Sequence, residues 1–178
     1  MTGSPTSRLV VLRGNSGSGK STTAKALRER LGRGTAWVEQ DHLRRILLRE
    51  HDLPGGVNIG LIDLNTRYAL DHGYDVVLEG IMHAGRYGDM LRRLTADHLG
   101  TTLHYYFDIP FEETAVRHST RALAGEFTVD AMREWYRERD LLGLEHGVIG
   151  PDSSVEQTVG QILTDLGVET SGAVPLEG

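Results

Sequence analysis

The segment Gly14-Asn15-Ser16-Gly17-Ser18-Gly19-Lys20-Ser21 has the spacing G-x-x-x-x-G-K-[ST], and Thr22 follows it. Glycines so placed let the chain curl until successive backbone N–H groups face one cavity, and a helix starting at Lys20 would present its positive end there. Lys20 would reach the β- and γ-phosphates of a nucleoside triphosphate, and Ser21 would ligate Mg²⁺. A glycine turn with an incidental Gly-Lys-Ser lacks the flanking strand and helix, and both contexts are present here. The segment Gly14 to Thr22 is therefore the expected binding site for ATP with Mg²⁺.

Further residues could supply transfer chemistry. Asp41 lies just past a second apolar run, where a carboxylate facing the γ-phosphate can orient a hydroxyl and take its proton. Its bland alternative is an N-cap of the next helix. Arg44, one helical turn on, is a candidate acceptor contact or a solvated charge. Glu79 ends the run DVVLE and can hold the metal through water, bind a substrate hydroxyl, or simply close a strand near solvent. His83 and Arg86 lie beyond it and could line an acceptor pocket. Arg117 and Arg121 are four apart and so share a helix face; planar, permanently charged guanidinium groups suit a phosphate chain, and both are candidates for stabilising transferred charge, Arg121 foremost.

These residues need a frame. RLVVLR at 8–13 reads as a strand buried on both faces of a parallel sheet. Lys20 to Leu31 reads as a helix stopped by Gly32. Strands are also expected at 35–39, 75–79 and 102–108. Helices are expected at 41–51 with Leu43, Ile46 and Leu47 on one face, at 59–71 with Ile62, Asn65 and Ala69 along it, and around 87–98, 112–124 and 129–142. A last helix should start near Ser153, where Ser153-x-x-Glu156 has capping-box form before Val159, Ile162, Leu163 and Leu166. Strands separated by helices of this length imply parallel pairing with right-handed crossovers, hence a three-layer α/β/α domain with a mostly parallel sheet. Ligands in such domains sit at the carboxyl ends of the strands, where every candidate falls. One domain is expected over 1–168, with a loose tail at 169–178.

From Leu9 to about Leu166 the pattern resembles the small P-loop kinases grouped with chloramphenicol phosphotransferase, polynucleotide 5′-hydroxyl kinase and the zeta toxins. Beyond the loop, the most telling match is Asp41-His42-Leu43-Arg44. The resemblance implies that Asp41 is the base for the attacking hydroxyl and that Arg44 binds the acceptor. It also implies that Glu79 stands where relatives carry a Walker B-type acid or an acceptor ligand. The run Asp108 to Thr114 is similar to the strand and helix leading to the family's lid, which places Arg117 and Arg121 in a lid with its tip at 122–127. GVIGPDSS at 147–154 resembles the loop that packs on adenine. Leu53 to Gly60 matches none of these families and is expected to help build the acceptor pocket.

Composition narrows the chemistry. The 178 residues carry a net charge of −6, which disfavours long nucleic acid partners. Cysteine is absent, so catalysis must use oxygen and nitrogen groups. No run reaches the roughly 20 apolar residues of a membrane span, and the start lacks an export signal, so a cytoplasmic location is expected. A regulatory GTPase would need an Asn-Lys-x-Asp segment that is missing, and no signature of a motor or transporter ATPase is present. A non-catalytic nucleotide-binding module stays open, with Asp41 as discriminator. The expected activity is transfer of phosphate from ATP to a hydroxyl of a small molecule such as an antibiotic or metabolite. Nucleotide sugars and polynucleotide ends are the alternative acceptors.

Overall fold

The computed structural model describes residues 1–119 and 129–168, with no side-chain description at 117–119, 129 and 131. Arg121, the lid tip at 122–127 and the tail at 169–178 lie outside the described residues, as does the Arg117 side chain.

The first strand, β1 (Arg8–Gly14), is buried along nearly its whole length because sheet pleating sends its apolar run to both faces. Leu9 and Val11 join one core and Val10 and Leu12 the other. It lies mid-sheet, between β3 (Asp75–Gly80) and β4 (Thr101–Phe107), with β2 (Thr35–Glu39) and β5 (Gly147–Ile149) outside them. The order is β2-β3-β1-β4-β5, and every pairing is parallel. Helices α2 (Val57–Asp71) and α3 (Ala84–Asp97) cover the Leu9/Val11 face; α1 (Lys20–Leu31) and α6 (Val155–Asp165) cover the other. The three-layer α/β/α reading holds. Helices α4 (Phe111–Ser119) and α5 (Val129–Trp135) flank the undescribed segment.

Several expectations need correction. The segment after β2 is helical, as expected, but it is a π-helix over His42–Leu47 rather than an α-helix running to His51. There Leu43 alone is buried, while Ile46 and Leu47 are exposed. Helix α2 buries Asn58, Ile62, Thr66 and Leu70, with Ala69 packed against the same core and Asn65 half-buried. Helix α5 ends at Trp135 instead of Leu142, and the chain then runs irregularly to β5. The cap of α6 is Ser154, whose side chain accepts from Gln157 N–H while Gln157 reaches back to the Ser154 N–H. Ser154-x-x-Gln157 fits the capping pattern as well as the register one residue earlier. Strand β5 falls within the segment 147–154 expected as a loop, and its three residues are too few to show periodicity. Among the described residues, no helix is long and apolar enough to cross a membrane.

Candidate active site

The loop from Gly14 to Lys20 is shaped by close approaches that only glycine permits. Gly14 pairs with Phe107, and a Cβ there would stand 2.7 Å from the Phe107 carbonyl oxygen. Gly17, at φ +76°, would place a Cβ 2.7 Å from the Thr114 carbonyl oxygen. The loop is thus wedged between the end of β4 and the start of α4, and α1 follows with no side chain capping its N-terminus. Its first-turn N–H groups and helix dipole therefore favour an anion. Lys20 is buried, its Nζ donating to the Asn15 carbonyl oxygen (2.7 Å) and to Ser18 Oγ (3.2 Å). Thr22 is exposed in the first turn of α1. Asn15 uses its side chain elsewhere: its amide donates to the Arg137 carbonyl oxygen (2.7 Å) and accepts the Arg137 N–H (2.9 Å).

Glu79 is a buried carboxylate, not a strand-end charge near solvent. Its Oε1 accepts from Ser21 Oγ at 2.8 Å. Burial pushes its carboxyl up to about 7, against the pull of Lys20 and the Ser21 hydroxyl, and Glu39 and Asp41 add to the rise. Glu39 is its direct neighbour across the β2–β3 pairing, which explains that repulsion. The hydroxyl and carboxylate are hard oxygen donors of the kind Mg²⁺ takes. The pair fits a metal site, though among the described residues no cluster of three or more His, Asp or Glu forms one.

Asp41 makes no cap bond to the π-helix that follows it. Its carboxylate instead receives Arg44 Nη2 on Oδ1 at 2.9 Å, with Arg45 Nη1 3.8 Å from Oδ2. Asp41 and Arg44 face a cavity of about 540 Å³ together with Ser16 of the phosphate-binding loop, Arg45, His51, Asp52, Leu53, Ile81, His83, Arg86, Trp135 and Arg137. The structure thus brings Asp41, Arg44, His83 and Arg86 to one wall system and leaves Glu79 behind them beside Ser21. A separate cleft of about 30 Å³ lies across the loop, lined by Ser18, Gly19, Thr23, Gly150 and Ser153 among others, where 147–154 was expected to meet adenine.

Two buried networks hold these walls, and sequence reading missed both. Gly80 packs against Gln40 so tightly that any Cβ would collide with that side chain, and Gln40 Oε1 accepts the Met82 N–H (3.1 Å). This pins the turn delivering His83 to the start of α3. Arg13, only 2% exposed, donates to the Met82 carbonyl oxygen (2.9 Å) and pairs with Asp140 (3.0 Å) and Glu145 (3.4 Å). Burial alone would raise the Asp140 carboxyl; the nearby His83 ring, the Ala84 N–H and Arg13 outweigh it and hold that carboxyl low. Asp52 anchors Arg86 (2.8 Å) and accepts from Tyr87 Oη (2.7 Å). An arginine inside an apolar strand was the available signal for the first network; nothing marked Gln40, Asp52 or Asp140.

No protein-family model matches the chain, and no curated protein matches its sequence. Solved structures do match in shape. The APS kinase CysC of Mycobacterium tuberculosis, in complex with AMPPNP and APS, aligns over 91% of this chain and 98% of its own, at 22% identity and a TM-score of 0.64. The tunicamycin resistance protein of Deinococcus radiodurans gives 17% identity and 0.65, over 92% of this chain and 97% of its own. The chain has the P-loop kinase fold. A gluconokinase from Sinorhizobium meliloti shares it at 18% identity and 0.62, covering 93% of this chain and 92% of its own. In this sheet β3 lies beside the central β1, so that the phosphate-binding loop and Glu79 emerge side by side.

Proposed function

We propose that the chain is an ATP-dependent phosphotransferase that moves the γ-phosphate of ATP to a hydroxyl group of a small molecule. The observation that carries this reading is the position of Asp41 on the wall of a cavity of about 540 Å³ that the phosphate-binding loop also borders at Ser16. A volume of that size suits a small ligand.

The phosphate chain lies on the backbone N–H groups of Gly14 to Gly19, with Lys20 and the N-terminus of α1 supplying positive charge. Ser21 and Glu79 would hold Mg²⁺, which would neutralise charge on the phosphate oxygens. Asp41, oriented by Arg44, accepts the proton of the acceptor hydroxyl. The acceptor oxygen bonds to the γ-phosphorus as the bond to the β,γ-bridging oxygen breaks, and ADP leaves. Arg117 and Arg121 are proposed to bind the phosphates and stabilise charge on the transferred group.

The test compares native protein with Asp41→Asn in ADP release and in acceptor mass. The variant is expected to keep its KM for ATP while kcat for transfer falls by roughly 10²–10⁴-fold. Unchanged transfer would remove Asp41 as the base. Lys20→Ala should weaken both ATP binding and turnover, and slow hydrolysis indifferent to every acceptor would leave a nucleotide-binding module or ATPase instead.

A further inference from the structure

Asn15 is the second residue of the phosphate-binding loop, and its side chain is taken up by a distant piece of chain. Its amide nitrogen donates to the Arg137 carbonyl oxygen at 2.7 Å, and its amide oxygen accepts the Arg137 N–H at 2.9 Å. Both backbone groups of one residue thus meet both ends of one amide, which fixes the orientation of that amide, since a flip would set donor against donor. Asn15 is buried, so losing either partner would leave a polar group stranded. A phosphate cradle is made of backbone N–H groups and has no need of this side chain.

Arg137 lies in the irregular stretch between α5 and β5. Buried Tyr106 holds that stretch from the sheet: its hydroxyl donates to the Arg137 carbonyl oxygen (3.3 Å) and accepts the Asp140 N–H (3.1 Å). The Asp140 carboxylate in turn receives the Ala84 N–H at 2.7 Å, where α3 begins, and lies 3.7 Å from His83 Nδ1. Arg137, His83 and Arg86 all border the cavity beside Asp41. A continuous path therefore runs from the loop through Asn15, Arg137 and Asp140 to the start of α3 and the cavity wall, the kind of contiguous network that can carry coupling between two sites.

We propose that Asn15 is a positioning residue that ties the acceptor wall to the phosphate-binding loop, so that a nucleotide settling on the loop also firms the wall that receives the acceptor. This rests on the nucleotide and acceptor sites assigned above. The gain is geometric: the γ-phosphate and the acceptor hydroxyl are held in one frame, and a misplacement of about 1 Å is costly in a transfer reaction. Ordering the wall in advance also lowers the entropy that acceptor binding must give up.

The test is backbone hydrogen–deuterium exchange on the full chain with and without Mg·AMPPNP, beside nucleotide affinity by calorimetry. In the native protein the nucleotide should slow exchange in the loop, at 137–140 and at the start of α3 around Ala84. Two variants break the tie: Asn15→Ala removes the amide, and Asn15→Asp sets a carboxylate without a proton against the Arg137 carbonyl oxygen. In both, exchange at Arg137 should rise by about tenfold without nucleotide. Both should still bind Mg·AMPPNP and protect the loop, while the nucleotide-dependent slowing at 137–140 and Ala84 disappears. An Asn15 that only stabilised the fold would leave that slowing in place, and this result overturns the proposal, as does a native protein in which nucleotide slows the loop alone. Folded variants that no longer bind Mg·AMPPNP overturn it too, since Asn15 would then belong to the nucleotide site itself. Should neither variant fold, Tyr106→Phe decides: it frees the hold on Asp140 but keeps the Asn15 tie, so exchange at Asp140 should rise while nucleotide still slows it. Slowing abolished by Tyr106→Phe would put the coupling in the sheet and overturn the role of Asn15. A native protein that binds no Mg·AMPPNP removes the nucleotide site, and the phosphotransferase reading falls with it; failure to find an acceptor leaves the exchange result untouched, because no transfer is measured.

Discussion

Glu79→Gln in protein stripped of metal and nucleotide offers a direct test of how the floor of the site is built. The glutamine keeps the side chain's shape and can still accept from Ser21 Oγ, which lies 2.8 Å from Glu79 Oε1. What it removes is a carboxyl pushed up to about 7 by burial, despite Lys20. A carboxyl raised on folding favours the native state most when protonated. Its contribution is complete below its ordinary value of 4.5, declines as pH rises towards 7, and is flat above that. At 1.36 kcal/mol per unit, the native protein should lose about 2–3 kcal/mol relative to the variant between pH 5 and pH 8. Urea unfolding at those two pH values, in EDTA, measures it: the variant should gain on the native protein as pH rises. Parallel stabilities would refute the reasoning, because they would mean that Lys20 and Ser21 fully offset the desolvation of Glu79 and that the carboxylate is ionised throughout. The same substitution should raise the Mg²⁺ concentration needed for half-maximal ATP turnover, since one oxygen donor loses its charge.

Gly17→Ala forces a Cβ to within 2.7 Å of the Thr114 carbonyl oxygen at a positive φ, so it should abolish ATP binding by calorimetry while circular dichroism stays native. Arg13→Met strips Asp140 and Glu145 of their buried partner and should cost about 3–5 kcal/mol in urea unfolding. Because Asp140 also receives the Ala84 N–H and lies 3.7 Å from His83, the same variant should raise the acceptor KM more than the ATP KM.

Sequence alone carried the phosphate-binding loop and the layered fold, for a physical reason. Both are set by local rules: glycines at fixed offsets and a lysine entering a helix, or apolar runs of strand length alternating with helical spacing. These rules operate over fewer than about fifteen residues and need no knowledge of distant chain. The same locality explains the errors. A π-helix at 42–47 and a longer α-helix look alike in sequence, and whether Ile46 and Leu47 are buried depends on what packs against them. Only the tertiary structure could decide that Glu79 is buried beside Glu39, since that neighbour lies on another strand. Only it could show that Asn15 clamps Arg137 across 122 positions, or that Arg13 meets Asp140 and Glu145 at the far end of the chain. The cavity beside Asp41 is made by such long-range meetings. Its arginines come from separate elements, each unremarkable where it stands in sequence, and their shared charge exists only once the fold has brought them together.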